Sequence, residues 1–301
     1  MNDRTYHIPV MLQACIEGLS IKPGGTYVDL TFGGGGHSRE ILKKLDSGHL
    51  FGFDQDEDAM ANAPEDERFT FVQANFRDLK KYLRLYGITE VDGILADLGI
   101  SSHQIDEPSR GFSTRFEGDL DMRMNQADPL TAAKLLNSAE EGELHRIFGQ
   151  YGEIKNAKSL ANAVVRSREL SPILRTEDFV GLLERYAPRG KSHKYFAQAF
   201  QALRIVVNDE LGALTEMLEQ SCSLLKKGGR LVVMSYHSLE DRLVKNFINK
   251  GKFHGEVEKD FYGNLIRPLQ PISRKAIVAE PTEVAQNKRA RSAKLRIAEK
   301  R

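Results

Sequence analysis

The stretch YVDLTFGGGGHSRE (residues 27–40) sets four consecutive glycines after a short apolar run that ends in an aspartate. The apolar run reads as a buried strand, and the residues from His37 to about Leu45 as the helix that follows. Glycines in such a turn let a ligand approach the backbone, and the start of the next helix offers free N–H groups. A tight turn alone would not need four.

The pattern repeats outward from this stretch. HLFGFD (49–54) is a second apolar run ending in an acid, with a helix expected after it. FTFVQAN (69–75) and VDGILADLG (91–99) read as a third and a fourth strand. Strands alternating with helices at this spacing predict an α/β fold with a mostly parallel sheet and helices on both faces. From about Glu107 to Tyr195 no strand is expected. LTAAKLLNSAEEGELHRIFGQYG, NAKSLANAVVRSREL and RTEDFVGLLERYA carry helical periodicity, separated by turn residues. The α/β pattern returns with a helix from about Asp209 to Leu225, a turn at KKGG and the strand RLVVMSYHS. KAIVAE (275–280) and AKLRIAE (293–299) are expected to close the sheet as a final pair. The chain therefore reads as one sheet domain, 1–107 with 200–301, interrupted by an all-helical insertion at 108–199.

Open parallel sheets bind ligands at the carboxyl ends of their strands. Two ligand classes suit the glycine turn, dinucleotides and S-adenosylmethionine. The dinucleotide fingerprint G-x-G-x-x-G fails here: counted from Gly33 its third glycine is Ser38, and counted from Gly34 it is Arg39. The spacing of Asp29, Gly33 and Gly35 resembles the first motif of class I S-adenosylmethionine-dependent methyltransferases. Asp54 suits a ribose diol in either class, or serves as a helix cap. Phe76 is a candidate face for an adenine ring, though a lone aromatic there is more often core. With Asp97, three acids reach one edge of the sheet. Ionised carboxylates are almost never buried unpaired, so a site explains them better than packing does.

Bulk properties set the outer limits. The 301 residues carry a net charge of +1, and 41% are hydrophobic, as in a soluble globular protein. Cys15 and Cys222 lie far apart, with neither metal-type spacing nor a disulfide framework. No signal-like start and no membrane-length apolar run is seen, so a cytoplasmic protein without a metal is expected. Basic residues gather between Arg166 and Arg204 and in QNKRARSAKLRIAEKR, which fits a polyanion partner.

The chain resembles the bacterial small-subunit (16S) ribosomal RNA cytosine-N4 methyltransferase family (MraW or RsmH type) nearly end to end. The blocks are HIPVML (7–12), TFGGGGHS (31–38), DGILADLGISSHQID (92–106), RGFS (110–113), LDMRM (120–124), FQALRIVVNDEL (200–211), SYHSLEDR (235–242) and KRARSAKLR (288–296). The resemblance implies a class I, Rossmann-like methyltransferase sheet with a helical insertion that recognises RNA. It implies S-adenosylmethionine contacts at Gly35, Gly36, His37, Asp54, Phe76, Asp97 and Gln104. The implied substrate is the N4 amino group of a cytosine in the decoding region of small-subunit rRNA.

Cytosine N4 is a poor nucleophile because its lone pair is delocalised into the ring. An acceptor on an N4 hydrogen helps localise that pair. Many amino-group methyltransferases carry Asp/Asn/Ser-Pro-Pro-aromatic at the fourth strand. DLGI (97–100) keeps the acid and lacks the prolines and the aromatic. Asp97 is the first candidate for orienting N4, with its own carbonyl or that of Leu98 as rivals. His237 is a weaker candidate, balanced against a plain hydrogen bond to backbone. Phe112 and Tyr236 are candidates to receive an unstacked base. Arg110, Arg204, Lys288, Arg289 and Arg291 are candidate RNA contacts. Arg123 is better read as an ion pair with Asp119 or Asp121, and Ser238 as the N-cap of the next helix with Asp241 at its third position. A dehydrogenase, a methyltransferase of small molecules or proteins, and a non-enzymatic RNA-binding protein are the rival readings. A homodimer is left open.

Overall fold

The computed structural model describes residues 9–301. His7 and Ile8 of the HIPVML block lie outside the described residues. In chain order the elements begin with α1 (Leu12–Leu19), β1 (Thr26–Asp29), α2 (Gly36–Leu42), β2 (His49–Asp54), β3 (Phe69–Gln73), α3 (Leu79–Leu85) and β4 (Val91–Asp97). Six helices follow: α4 (Ser102–Asp106), α5 (Ala132–Ser138), α6 (Glu141–Gln150), α7 (Ala157–Leu170), α8 (Thr176–Glu184) and α9 (Ser192–Val207). The chain then continues through α10 (Glu210–Leu224), β5 (Leu225–Ser235), α11 (Ser238–Lys250), β6 (Leu269–Pro271), α12 (Pro281–Gln286) and β7 (Lys294–Lys300).

Two compact units result: residues up to Gly99 with Leu211–Arg301, and Ile100–Glu210. The first holds a seven-stranded sheet in the order β3-β2-β1-β4-β5-β7-β6. The five strands from β3 to β5 run parallel, and β7 is antiparallel to both of its neighbours. Successive strand residues point to opposite faces, and the sequence makes both faces apolar. Val28, Phe53, Ile94 and Val233 pack on one side with Leu83, Met217 and Phe247. Tyr27, Leu50, Leu95 and Val232 pack on the other with Cys15, Leu19 and Ile41. Burying one such large side chain contributes about 1.5–3 kcal/mol. Cutting the fully buried Phe53 back to alanine would cost about 3–5 kcal/mol.

The helical unit has its own core, in which Leu144, Phe148, Leu160, Phe179 and Leu203 are fully buried. Its boundaries fall wider than the expected 108–199. The apolar face of α9, from Tyr195 through Val207, packs inside this core, and Ile100 packs against it.

Three local expectations need correction. KKGG does not precede β5 but lies within it: β4 residues Val91 and Gly93 pair with Leu225 and Arg230, so the intervening residues bulge out, with Gly228 at φ 80°. The partner of β7 is β6 rather than KAIVAE, which contributes only a bridge from Ile277 to Leu295. The two share one edge of β7, and Ala298 to Lys300 is taken by Pro271 to Leu269. A short 3-10 helix, Glu57–Asn62, stands where an α-helix was expected after β2.

Candidate active site at the strand ends

Parallel pairing brings the last residues of β1, β2 and β4 to one edge of the sheet, and these are Asp29, Asp54 and Asp97. Each carboxyl is pushed up to about 6, chiefly because burial disfavours its charged form. Their partners differ, and so do their roles.

Asp29 is a brace. Its carboxylate accepts from Ser38 Oγ at 2.7 Å and from the Thr31 amide at 3.2 Å, tying the strand to α2 across the glycine turn. Asp54 holds the turn from the other side, accepting from the Gly33 amide at 2.7 Å and the Asp56 amide at 2.9 Å. Asn62 Nδ2 donates to the Gly33 carbonyl at 3.0 Å, and Arg39 Nη1 to the Gly34 carbonyl at 2.6 Å. The turn is thereby fixed before any ligand arrives. Gly35 has φ 72°, a left-handed conformation that L residues rarely adopt. At Gly36 an added Cβ would lie 2.2 Å from Pro9 Cγ.

Asp97 stands apart. Its amide donates to Thr31 Oγ1 at 2.7 Å, and its Oδ1 accepts from the Tyr236 hydroxyl at 2.8 Å. Its Oδ2 is 4.0 Å from His37 Nδ1. The carboxyl is 22% exposed, so one oxygen is tied down while the group keeps an opening. At neutral pH it is mostly ionised. Burial holds the Tyr236 phenol well above its ordinary range, and the negative charge of Asp97 adds to that, so it remains a donor. Burial lowers the His37 imidazole against the opposing pull of Asp97, which leaves the ring neutral at neutral pH.

The other candidates separate by environment. Tyr236 lies beside Asp97, to which its hydroxyl donates. Phe76 is half-buried against the sheet core. His237 is the N-cap of α11 in a capping box with Glu240, and its Nε2 is 3.1 Å from Glu240 Oε1. The cap therefore falls one residue before Ser238, because the His237 backbone is extended (φ −131°, ψ 162°). Glu240 also accepts from the Tyr236 amide at 3.0 Å. Thr31 and Glu240 were missed as site residues; SYHSLE hides the cap pattern one position early. Lys288 and Arg291 are exposed and Arg289 is half-buried, in a short 3-10 turn.

In the helical unit Gln104 is buried and completes a capping box with Ser101. Arg110 and Phe112 are not presented to RNA. Phe112 is buried in the helical core, and Arg110 Nη2 donates to the carbonyls of Arg123 at 3.0 Å and Met124 at 3.1 Å. Asn208 grips the same loop, donating to the Met122 carbonyl at 2.8 Å and accepting from the Met124 amide at 2.7 Å. RGFS, LDMRM and FQALRIVVNDEL thus meet as a structural staple. Arg204 pairs with Glu210 through two bonds of 2.7 and 2.9 Å at 13% and 9% exposure, which commits it to the fold. Arg123 pairs with Asp121 at 2.7 Å, as expected, while Asp119 goes to Arg175.

Whether this edge fits a cofactor can be judged from its unmet groups. His37 Nε2 is buried and has no hydrogen-bond partner among the described residues. A buried donor or acceptor left unmet costs about 1–3 kcal/mol. It stands at the start of α2, beside a fixed glycine turn and below three strand-end acids, which suits a polar ligand with a ribose and a charged end.

A parallel five-strand sheet with an antiparallel pair at its β5 edge, a glycine turn after β1 and acids at the strand ends defines a class I S-adenosylmethionine-dependent methyltransferase. The MraW methylase family model matches residues 4–301, and the chain belongs to that family. It is 59% identical over 297 residues to the ribosomal RNA small subunit methyltransferase H of Cytophaga hutchinsonii, covering 98% of this chain and 99% of that one. It is 56% identical to the protein of that name in Flavobacterium johnsoniae, covering 98% of each chain. It is 52% identical over 301 residues to the one in Bacteroides thetaiotaomicron, covering 100% of this chain and 99% of that one.

Proposed function

We propose that the protein transfers a methyl group from S-adenosylmethionine to the N4 amino group of a cytosine in the decoding region of small-subunit rRNA. A ribosomal substrate sets the reaction in the cytoplasm. The observation that carries the chemistry is the Asp97 carboxylate, held by Tyr236 at the end of β4 and open on one side.

Bound at this edge, S-adenosylmethionine supplies a methyl group already activated by its positive sulfur. The residues assigned to hold it are Gly35, Gly36, His37, Asp54 and Phe76, with Asp97 toward the methionine end. His37 Nε2 gains a partner in this assignment, and the fixed turn provides amides without reorganisation. Asp97 accepts a hydrogen bond from the cytosine amino group, which draws the nitrogen lone pair out of the ring and aims it. As the methyl group passes from sulfur to nitrogen, its bond to sulfur breaking while the N–C bond forms, one amino proton becomes surplus, and a carboxylate with a pKa of about 6 can take it and release it to water near neutral pH. Tyr236 keeps the carboxylate in one rotamer. Lys288 and Arg291 are the proposed phosphate contacts, with Arg289 beside them.

Calorimetric titration with S-adenosylmethionine and with NAD tests the ligand class. Label transfer from S-adenosylmethionine to isolated small subunits and to naked rRNA tests the acceptor. Binding of the first ligand alone, with label in rRNA, is expected. NAD binding, or cofactor binding without label in RNA, would overturn the reading.

A further inference from the structure

The chain changes partners just past β1. The Leu30 amide donates to the Leu95 carbonyl of β4 at 2.8 Å, and the Phe32 amide to the Phe53 carbonyl of β2 at 2.9 Å. Along a straight strand, residues two apart turn the same way. The backbone therefore rotates at Thr31, where it leaves β4 and enters the glycine turn. On β4, the next amide after Leu95 to face β1 is that of Asp97. A side chain meets it: Thr31 Oγ1 accepts from the Asp97 amide at 2.7 Å. The hydroxyl takes over where the strand stops.

Thr31 is itself tied to the start of α2. Its amide donates to Asp29 Oδ1 at 3.2 Å, and Asp29 Oδ2 accepts from Ser38 Oγ in the first turn of that helix at 2.7 Å. Burial raises the Asp29 carboxyl, while Ser38, the Thr31 amide and the Thr31 hydroxyl each draw it back. Asp29 and Ser38 are both buried, which leaves neither room to shift. A path thus runs from the Asp97 backbone through Thr31 and Asp29 to Ser38, the neighbour of His37. Its two ends serve the two partners of the proposed reaction. The glycine turn and α2 are assigned to the methyl donor, and Asp97 to the acceptor. In-line transfer needs them in one fixed relation, and an error of about 1 Å costs about 10² in rate. Tyr236 fixes the Asp97 side chain from the β5 side, but that bond does not reach the turn. The Thr31 bond does.

We propose that Thr31 is a positioning residue for methyl transfer: its hydroxyl holds the Asp97 backbone in a fixed relation to the glycine turn. It governs the rate of transfer and not the affinity for the cofactor. The inference rests on the proposed function, with Asp97 as the group that orients N4.

Thr31→Val keeps the shape of the side chain and removes the acceptor, whereas Thr31→Ser keeps the hydroxyl. Single-turnover transfer of labelled methyl to small subunits should slow about tenfold in Thr31→Val, the worth of one hydrogen bond realised in the transition state. The calorimetric Kd for S-adenosylmethionine should stay at the parental value, which also shows that the variant is folded. Thr31→Ser should recover most of the rate. In an Asp97→Ala background Thr31→Val should cost no further rate, because a residue that acts through Asp97 has nothing left to position. A parental rate in Thr31→Val would overturn the proposal. So would a loss of cofactor affinity in step with rate, or a rate loss that adds in full to that of Asp97→Ala, since a prop of the glycine turn alone would give either. Full activity in Asp97→Ala, or no transfer to RNA by the parent, would overturn the proposed function first, and this role with it.

Discussion

The Tyr236 phenol donates to Asp97 Oδ1 at 2.8 Å and joins the ends of two neighbouring strands. Tyr236→Phe keeps the ring and removes the donor. Without it the Asp97 carboxylate is less stabilised, so its pKa moves above about 6. Activity needs the ionised form, so it is present above that pKa and lost as pH falls through it. The acidic limb of the pH–rate profile should therefore shift to higher pH, with a larger loss at pH 6 than at pH 8. An unmoved limb would remove Tyr236 from the account.

Asp97→Ala deletes the acceptor. Methyl transfer should fall by about 10² or more, the range for a positioned acid or base. Full activity in this variant would end the assignment.

The raised carboxyls also set a stability profile. Asp29 binds its proton more tightly folded, at about 6, than unfolded, near 3.8. Its stabilising contribution is complete below the unfolded value and is lost as pH rises through about 6. Asp29→Asn keeps an acceptor for Ser38 and never ionises. Relative to the parent the variant should gain about 2 kcal/mol between pH 4.5 and pH 7.5, as an upper bound for so buried a group. Denaturant melts at the two pH values check the sign, and a variant that loses ground at the higher pH contradicts it.

The glycine turn makes a steric prediction. At Gly35 a Cβ would meet Phe32 Cζ at 2.8 Å with φ at 72°. Gly35→Ala should cost about 1–3 kcal/mol of stability and weaken S-adenosylmethionine binding in calorimetry. An unchanged midpoint and affinity would mean that the turn is not fixed as described.

Lys288→Ala and Arg291→Ala remove exposed cations that the sheet does not need. Stability should stay within about 0.5 kcal/mol. The slope of log affinity for rRNA against log salt should become shallower by about one for each phosphate that is no longer neutralised. Arg110→Ala is the contrast: its side chain caps two loop carbonyls, so it should destabilise the helical unit.

What was legible in the sequence follows from range. Buried parallel strands are apolar on both faces, so the runs ending in Asp29, Asp54 and Asp97 stood out, as did a strand-free insertion. Partner choice did not. Tyr236 and Asp97 are 139 residues apart, and no local pattern says that an aromatic residue will spend its hydroxyl on an acid. Arg110 and Arg204 read as RNA contacts because a guanidinium suits phosphate and backbone carbonyls alike, and only the fold shows which it meets. Phe112 read as a base platform because burial cannot be seen from four residues. KAIVAE had the composition of an edge strand, yet β6 took most of that edge of β7 with only three residues.

The most direct measurement is mass mapping of the nucleotide methylated when small subunits are incubated with the protein and labelled S-adenosylmethionine. N4-methylcytosine is expected at one position in the decoding region, formed about 10²-fold more slowly or worse with Asp97→Ala. A methyl group on ring carbon, on a ribose hydroxyl or on another base would contradict it.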